Sequence, residues 1–358
     1  MLLRRKWFPL LFTGLLASSF LALYFVKVEN SGSSIFEDTS CKQPTIRSKE
    51  NAESHFLSPA EELFKLYDGV ETFVMFIGYQ RSSHSLVGAI LDAHPEIIIP
   101  SEFDLMTRWK KYQAPELIQN NLQKYALFYD LHRLSMKQAM FGIRANFNNT
   151  KPTGELTAKY TYHVPGLWQG GYQNKIKVIG DKKGGVTSGI LMDPRSMSEL
   201  GEISQLVQVP MKFIHVTRNP FDNIATMTLL KSCSRNAAKE FEAGEKINRK
   251  NYLERSIGQY FELAASNQRV RERYSDAVLD IPAHETVLRP RETLQRLCDH
   301  LGVTCSDDYF EKCSKVMFGT PSITRDKVVW TDEQIKRVTE MMKSYPFLKD
   351  YSFDKYPS

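Results

Sequence analysis

The sequence predicts an α/β fold with a central parallel sheet. Residues 73–77, FVMFI, form an unbroken apolar run of the kind that a strand buried on both faces requires. A polar loop and a helical pattern follow this run, and residues 211–226 repeat the order of strand, turn and helix. A short apolar run at 97–99 and β-like segments at 175–179 and 277–281 supply further candidate strands. Strands that alternate with helical segments are typical of parallel sheets, because parallel strands need long crossover connections.

The amino terminus predicts a membrane anchor. Basic residues at positions 4–6 precede residues 7–26, an uncharged run of about the length that a membrane-spanning helix needs. A basic N-terminal side favours a cytoplasmic tail at 1–6 and a lumenal remainder. A cleaved signal peptide is the alternative, because small residues such as Ala22 lie within the run.

A stem and a single folded domain are predicted after the anchor. Residues 27–58 are rich in Ser, Glu, Asn and Lys, which is typical of a flexible stem. Residues 59–358 then form the predicted lumenal domain. Asn148 begins a glycosylation sequon, Asn148-Asn149-Thr150, as expected for lumenal exposure.

The cysteines and the overall charge limit the classes of partner. A bridge among Cys298, Cys305 and Cys313 is expected in an oxidising lumen, and Cys41 in the stem would allow a homodimer. The cysteine spacing does not match a zinc site, so we predict no metal. The net charge of +6 suits an anionic ligand or an acidic acceptor. Without a concentrated basic tract, it does not predict a nucleic-acid partner.

Residues 78–85, GYQRSSHS, form a predicted anion-binding loop. A strand, a polar loop and a helix in this order direct free backbone N–H groups and the positive end of a helix dipole towards the loop. Arg81 adds a positive charge, and hydroxyl groups follow at Ser82, Ser83 and Ser85. The nucleoside-triphosphatase loop has a Gly-Lys pair before its hydroxyl residue. Here the corresponding pair is Ser83 and His84, which disfavours a kinase or nucleotidase.

The segment Arg81 to Leu86, RSSHSL, resembles the 5′-phosphosulfate loop of the PAPS-dependent sulfotransferases, which commonly reads [KR]-S-G-T-T-L. The continuation LDAHP, residues 91–95, resembles the membrane-anchored Golgi members that act on protein tyrosine and on carbohydrate. The resemblance implies a P-loop-like three-layer sandwich with 3′-phosphoadenosine 5′-phosphosulfate (PAPS) as the sulfate donor. It implies that the 5′-phosphosulfate is held by Arg81, Ser82, Ser83, His84 and Ser85. Ser83 and His84 stand where the family has Gly and Thr.

The same resemblance implies three catalytic residues. Glu102 aligns with the catalytic glutamate of the tyrosylprotein branch and would accept the proton of the acceptor hydroxyl. Lys182 follows a strand in the element Gly180-Asp181-Lys182, as a lysine does in relatives, and would stabilise charge on the sulfuryl group. Arg81 is the third. A solvated loop carboxylate and a basic surface turn are the alternatives for Glu102 and Lys182.

Two later segments resemble the nucleotide-binding parts of the family. Residues 218–226, RNPFDNIAT, resemble the 3′-phosphate element R-[DN]-P-x-D-x-x-x-S. The resemblance implies that the guanidinium of Arg218 and the hydroxyl of Thr226 hold the 3′-phosphate. The segment SITRDK, residues 322–327, resembles a late loop that folds over the nucleotide, which makes Arg325 and Lys327 candidate phosphate ligands. A solvated charged loop is the alternative there.

The other segments predict helices that cover the sheet. Residues 103–149 have helical spacing, with Ile118 on an apolar stripe. Residues 239–273 are charged and helical, which favours a solvent-facing cover. Residues 290–301 form a predicted helix that ends at Gly302.

The sequence thus predicts a single-pass type II protein of the Golgi membrane. Its lumenal domain would transfer a sulfuryl group from PAPS to a hydroxyl, with a glycan as the first choice because glycans are the commonest acceptors of anchored relatives. A protein tyrosine is the alternative acceptor. A protein that binds PAPS or its product PAP without turnover is the second alternative, because Ser83, His84 and His284 depart from the family pattern.

Overall fold

The structure is a computed structural model that describes residues 59–141, 162–231, 246–317 and 319–355. The predicted tail, anchor and stem and the sequon at Asn148 lie outside the described residues. Within the described ranges, no helix combines the length and the apolar character that a membrane span requires.

The described part of the chain contains a five-stranded sheet in which every pairing is parallel. The strand order is β2-β3-β1-β4-β5. The strands are β1 (Thr72–Gly78), β2 (Ile97–Ile98), β3 (Val178–Asp181), β4 (Met211–Thr217) and β5 (Val278–Pro282). This confirms the predicted α/β fold with a central parallel sheet.

Helices flank and cap the sheet in chain order. The α-helices are α1 (Pro59–Asp68), α2 (His84–Leu91), α3 (Leu105–Arg108), α4 (Pro115–Gln119), α5 (Gln123–Met140), α6 (Gly184–Ile190), α7 (Pro194–Val207), α8 (Pro220–Lys231), α9 (Lys250–Arg273), α10 (Glu285–Leu288), α11 (Pro290–Leu301), α12 (Asp307–Ser314) and α13 (Asp332–Met342). Short 3₁₀ turns cover Trp109–Gln113, Ser275–Ala277, Arg325–Lys327 and Pro346–Leu348.

The two faces of β1 belong to different apolar cores. Phe73, Met75 and Ile77 pack in a core shared with α5 and α7. Val74 and Phe76 pack in a second core with α2, α11 and α12. Because successive side chains of a strand point to opposite faces, the sheet lies between two helical layers, as the three-layer prediction requires.

Helix α9 is not the solvent-facing cover that its charge favours. Leu253, Ile257 and Tyr260 are buried along one side of α9, in a third apolar cluster with α8 and α13. The charged residues of α9 occupy the other side. The predicted helix is thus confirmed over 250–273, but one of its sides is buried. The prediction for Ile118 is also wrong. This side chain is 46% exposed, because the chain leaves helical geometry at Asn121, which has a φ of 54°.

The C-terminal predictions agree with the structure. Helix α11 ends at Gly302, which has a φ of 76° in the left-handed region that glycine favours. Cys298 and Cys305 form a disulfide, and Cys313 is a buried free thiol. The expected bridge among the last three cysteines is therefore present.

Candidate active site

The predicted site residues converge at the carboxyl ends of the strands, where ligands of open parallel sheets bind. The loop after β1 carries residues 79–83, and the turn after β2 carries Glu102. Lys182 follows β3 directly, and Arg218 follows β4 directly.

The loop between β1 and α2 curls tightly because two of its residues are left-handed. Arg81 has a φ of 68° and Ser83 a φ of 73°. Ser83 stands where the resembled family has glycine, the residue that tolerates this conformation without strain. The side chain of Ser83 makes no capping hydrogen bond to α2. It is exposed, and so is Arg81. The first-turn N–H groups of a helix have no intrahelical acceptor, so this loop and helix start form a suitable place for an anion.

Ser82 differs from its expected role. Its side chain is fully buried, and Oγ donates to the carbonyl of Tyr79 at 3.0 Å. The hydroxyl of Ser82 therefore closes the loop from inside and does not face a ligand.

A buried ion cluster lies beside the start of α2. The ammonium of Lys182 pairs with one oxygen of the Glu102 carboxylate and donates to Ser85 Oγ at 3.0 Å. Lys183 Nζ contacts the other carboxylate oxygen at 2.5 Å. The side chain of Lys182 is 1% exposed, whereas that of Glu102 is 35% exposed. The structure thus brings together three predicted residues and adds Lys183, which the sequence did not single out.

The electrostatics of the cluster keep Glu102 ionised. Burial alone would raise the pKa of its carboxyl, but the charge of Lys182 and the hydrogen bonds from Lys182 and Lys183 outweigh it and lower that pKa to about 2. Burial lowers the pKa of Lys182, and the neighbouring carboxylate opposes this shift.

His84 is the first residue of α2 and lies against the same cluster. Its Nδ1 atom is buried without a hydrogen-bond partner in the described part of the chain. Burial and the nearby charge of Lys182 lower the pKa of the imidazole to about 3. The ring is therefore neutral near pH 7, with one N–H donor and one acceptor nitrogen.

Glu102 is positioned by backbone pairing beyond the end of β2. Its N–H donates to the carbonyl of Lys182 at 3.0 Å. The preceding residue, Ser101, exchanges two hydrogen bonds with the buried side chain of Gln138 on α5, at 2.8 and 2.7 Å. Asp92 accepts from the N–H of Ile99 at 2.7 Å and so fixes the same segment from the α2 side. The motif LDAHP thus acts in this fold as a support for the turn that carries Glu102.

Arg218 forms the second cationic end of the site. Nη1 donates to Thr226 Oγ1 at 2.9 Å and to the carbonyl of Arg81 at 3.3 Å. Nη2 donates to the carbonyl of Ser322 at 2.7 Å and to Thr324 Oγ1 at 3.1 Å. These acceptors in the described residues are neutral oxygens, so the guanidinium charge is available to an anion.

Arg325 is not placed as the expected phosphate ligand. It is fully buried and pairs with the carboxylate of Asp222 at 2.6 Å. Nη1 donates to the carbonyls of Ser352 and Phe353 at 2.8 and 2.5 Å. Lys327 is half-buried, and its carbonyl pairs with the N–H of Ile247. The late loop therefore contributes Ser322 and Thr324 to the Arg218 site, while Arg325 ties this loop to α8 and to the C-terminal segment.

A cleft of about 740 Å³ extends from this end of the site. Its described lining includes Ser83 and Arg218 at one side and Pro282 to Glu285, Arg296 and Tyr351 at the other. Arg325 and Lys327 are not among the described lining residues. The cleft has the size of a site for a nucleotide-sized ligand, since ligand sites commonly measure about 300–1,000 Å³.

Sequence reasoning missed several residues of the site. Lys183 stood beside Lys182 in a segment whose composition also suited a surface turn. Asp222 was visible only as an acidic residue in the first turn of a helix, and its buried partner is more than one hundred residues away. Gln138 carried no signal, because an isolated glutamine on a helix has no pattern.

Comparison with known proteins gives the following matches. The sequence model of the sulfotransferase family matches residues 74–307 of this chain. No curated protein matches the sequence. The sulfotransferase domain of the Synechococcus PCC 7002 olefin synthase is 15% identical with a TM-score of 0.42, over 77% of this chain and 94% of that chain. Sulfotransferase STF9 from Mycobacterium avium is 11% identical with a TM-score of 0.43, over 83% of this chain and 81% of that chain. Mouse sulfotransferase SULT7A1, complexed with PAP, is 13% identical with a TM-score of 0.38, over 80% of this chain and 89% of that chain.

Proposed function

This chain belongs to the sulfotransferase family, and we propose that it transfers a sulfuryl group from PAPS to a hydroxyl group of a glycan. One observation carries the proposal. Two cationic residues contact separate points of the segment after β1, Arg218 at the carbonyl of Arg81 within the loop and Lys182 at the hydroxyl of Ser85 in the first turn of α2. Two separate cationic points along one loop suit a donor that has two separate anionic groups, a 3′-phosphate and a 5′-phosphosulfate.

The donor contacts follow from this arrangement. Arg218 and Thr226 hold the 3′-phosphate. Thr324 accepts from Arg218 and donates to the carbonyl of Asp222 at 2.6 Å, so it positions the guanidinium. Arg81, Ser83, His84, Ser85 and the backbone N–H groups at the start of α2 hold the 5′-phosphosulfate. The adenosine occupies the cleft beside Arg218. Arg325 and Ser82 are left out of the contact set because both are buried in contacts within the protein.

Lys182 and Glu102 supply the chemistry. The acceptor oxygen forms a bond to sulfur while the bond from sulfur to the phosphate oxygen breaks, and PAP leaves. Lys182 stabilises the charge that develops on the bridging oxygen, and the acceptor's proton passes to the carboxylate of Glu102. With two lysines as partners, Glu102 is a weak base. When the ammonium of Lys182 turns to the sulfuryl oxygens, the carboxylate loses one cation and its pKa rises towards the ordinary range.

The glycan acceptor and the cellular location are parts of the same proposal. The support for a glycan is the resemblance to anchored Golgi members, and a protein tyrosine is the competing acceptor. The sequence of residues 1–26 supports a type II anchor in the Golgi membrane, and the Cys298–Cys305 disulfide suits an oxidising lumen. Protease protection of a C-terminal tag in intact Golgi vesicles, together with loss of a glycan at Asn148 on amidase treatment, tests this location. A tag that is digested in intact vesicles refutes it.

Binding of PAP to the full-length protein in detergent tests the donor site. We expect calorimetry to give tight binding for the wild type and a loss of at least tenfold for Arg218→Ala, because a charged partner of the phosphate is removed. Arg195→Ala is the matched control, since Arg195 is 90% exposed and pairs only with Asp193 in the described contacts. Equal affinities for wild type and Arg218→Ala would exclude this site for the 3′-phosphate.

Transfer of labelled sulfate from PAPS tests the reaction. The acceptor panel consists of desulfated chondroitin, desulfated heparin and an acidic peptide with a single tyrosine. We expect label on a glycan, and a fall of at least a hundredfold in Glu102→Gln with PAP affinity kept. Label on the peptide alone would replace the glycan by a tyrosine acceptor. Binding of PAP without transfer to any member of the panel would favour a non-catalytic nucleotide-binding protein.

A further inference from the structure

The side chain of Lys182 passes across helix α2 at Gly88. A Cβ atom built on Gly88 would lie 2.5 Å from Cγ of Lys182, 3.2 Å from its Cβ and 3.4 Å from its Cδ. Carbon atoms in favourable contact are about 3.5–4.0 Å apart, so a methyl group at this position would have to displace the stem by roughly 1 Å.

The contact involves the root of the lysine and not its flexible end. Cβ and Cγ move only when the backbone or the first side-chain torsion moves, and Lys182 is 1% exposed, with little free space around it. Its backbone is also fixed, because it pairs with the segment of Ser101 and Glu102. The displacement that a methyl group at Gly88 causes in the stem therefore also moves the ammonium, which contacts Ser85 and Glu102.

We propose that Gly88 is a positioning residue for sulfuryl transfer. The missing side chain of Gly88 lets the stem of Lys182 lie against α2, and this path sets the ammonium between Ser85 and Glu102. Glycine lowers the stability of a helix interior relative to alanine, so α2 carries an unfavourable residue at the point where the lysine passes. The inference rests on the proposed function, in which Lys182 supports the reaction.

The test compares alanine at two helical glycines in the full-length protein. Gly88→Ala is expected to lower kcat with labelled PAPS by about ten- to a hundredfold, since a misplacement of roughly 1 Å at a reacting centre has effects of this size. Its affinity for PAP is expected to stay within about twofold, because the Arg218 site is at the other end of the loop. Gly258→Ala is the control, since a Cβ there meets nothing within 4 Å. It should raise the melting temperature and leave kcat unchanged.

A double-mutant cycle shows whether Gly88 acts through Lys182. In a Lys182→Ala background Cγ and Cδ are absent and only the contact with Cβ at 3.2 Å remains, so Gly88→Ala should change the residual rate by less than about twofold. Equal losses from Gly88→Ala in both backgrounds would overturn the inference. So would a wild-type kcat in the single variant, or a loss of PAP affinity that matches the loss of rate.

Stability measurements keep the inference separate from the proposed function. If the wild type transfers no label, the proposed function fails, and the packing of Gly88 against Lys182 is then decided by melting temperatures alone. Gly88→Ala should lower the melting temperature in the wild-type background and raise it in the Lys182→Ala background. If Gly88→Ala does not fold, a folded double variant supports the contact. Two unfolded proteins would show that Gly88 serves the fold and not the lysine.

Discussion

The buried pair of Asp222 and Arg325 is expected to make a large contribution to stability. Asp222 is 2% exposed and Arg325 is fully buried. One oxygen of Asp222 accepts from the N–H of Thr324 at 2.8 Å and from the N–H and Nε of Arg325, both at 3.0 Å. The other oxygen accepts from Nη2 of Arg325 at 2.6 Å. Replacing Asp222 by Ala leaves a buried guanidinium without its counter-ion.

The expected loss for Asp222→Ala is about 3–5 kcal/mol, the usual cost of removing one partner of a buried ion pair. Global stabilities are about 5–15 kcal/mol, so this variant keeps only part of its folding free energy. The exposed pair of Glu254 and Arg337 gives the control. Its side chains are 37% and 45% exposed, and Arg337→Ala, which keeps the hydrogen bond from Gln334 to Glu254, should cost less than about 1 kcal/mol.

Urea unfolding of the full-length protein, followed by circular dichroism, measures both losses. A double variant, Asp222→Ala with Arg325→Met, should recover part of the lost stability, because the uncompensated charge is then removed as well. If Asp222→Ala costs no more than Arg337→Ala, or if the double variant is less stable than the single one, the assignment of the pair as a buried structural clamp is wrong. PAP affinity should fall in Asp222→Ala, because Thr324 loses its support and Arg218 loses a fixed partner.

Three further predictions concern the loop, the ion cluster and the disulfide. Ser83→Gly should raise the stability by about 1 kcal/mol in urea unfolding, because glycine adopts the left-handed conformation without strain and no helix cap is lost; a destabilised variant would contradict this. The depressed pKa of Glu102, about 2, gives stability that is present above its ordinary pKa and is lost as pH falls towards 2. The wild type should therefore lose more stability than Glu102→Gln between pH 5 and pH 3, by an amount reduced by solvent screening, and equal losses would refute the ion cluster. Cys298→Ala should cost about 2.5 kcal/mol by the loop-entropy estimate for a bridge to Cys305. Reductant should lower the stability of Cys313→Ser, which keeps the bridge, and leave that of Cys298→Ala unchanged; the opposite pattern would contradict the pairing.

The fold could be predicted from the sequence where burial leaves a local pattern. Strands buried on both faces appear as apolar runs, and this signal located β1 and β2. The segments that predicted β3 and β5 include charged residues, and β5 is buried mainly at Ile281. Boundaries were less certain. The run at 175–179 precedes the actual strand by three residues at its start, because Lys175 and Lys177 extend to the surface and pair with acidic residues there.

The error at α9 has a physical cause. Its many charges favoured a solvent-facing helix, yet Leu253, Ile257 and Tyr260 recur at the spacing of one helical face. A long helix buries one stripe and exposes the rest, so overall charge does not decide whether it packs against a core. The apolar spacing in the sequence, and not the number of charges, therefore indicates how α9 packs.

The candidate site was predictable where a residue follows a strand. Lys182 and Arg218 come directly after strands, and Glu102 follows Ser101, which bridges to Lys182 beyond the end of β2. The carboxyl ends of parallel strands meet at one edge. Partners that are distant in sequence left no such signal. The ion pair of Asp222 with Arg325 and the support of Ser101 by Gln138 are set by tertiary packing. Arg325 therefore looked like a ligand of phosphate, although in the fold its charge is already satisfied.

The two ends of the loop depend on different parts of the fold, and this separates binding from transfer. Arg218 is held by the late loop, which Asp222 and Arg325 tie down, so changes there should act on affinity and stability together. Lys182 is held by β3, by Glu102 and by the path across Gly88, so changes there should act on rate while affinity remains. A protein that only bound the nucleotide would need Arg218 and the loop that holds the 5′-phosphosulfate, but no proton acceptor beside them. The carboxylate between two lysines beside the loop adds nothing to the binding of an anion, because its negative charge opposes it, whereas a proton acceptor next to a cation is what transfer to a hydroxyl requires.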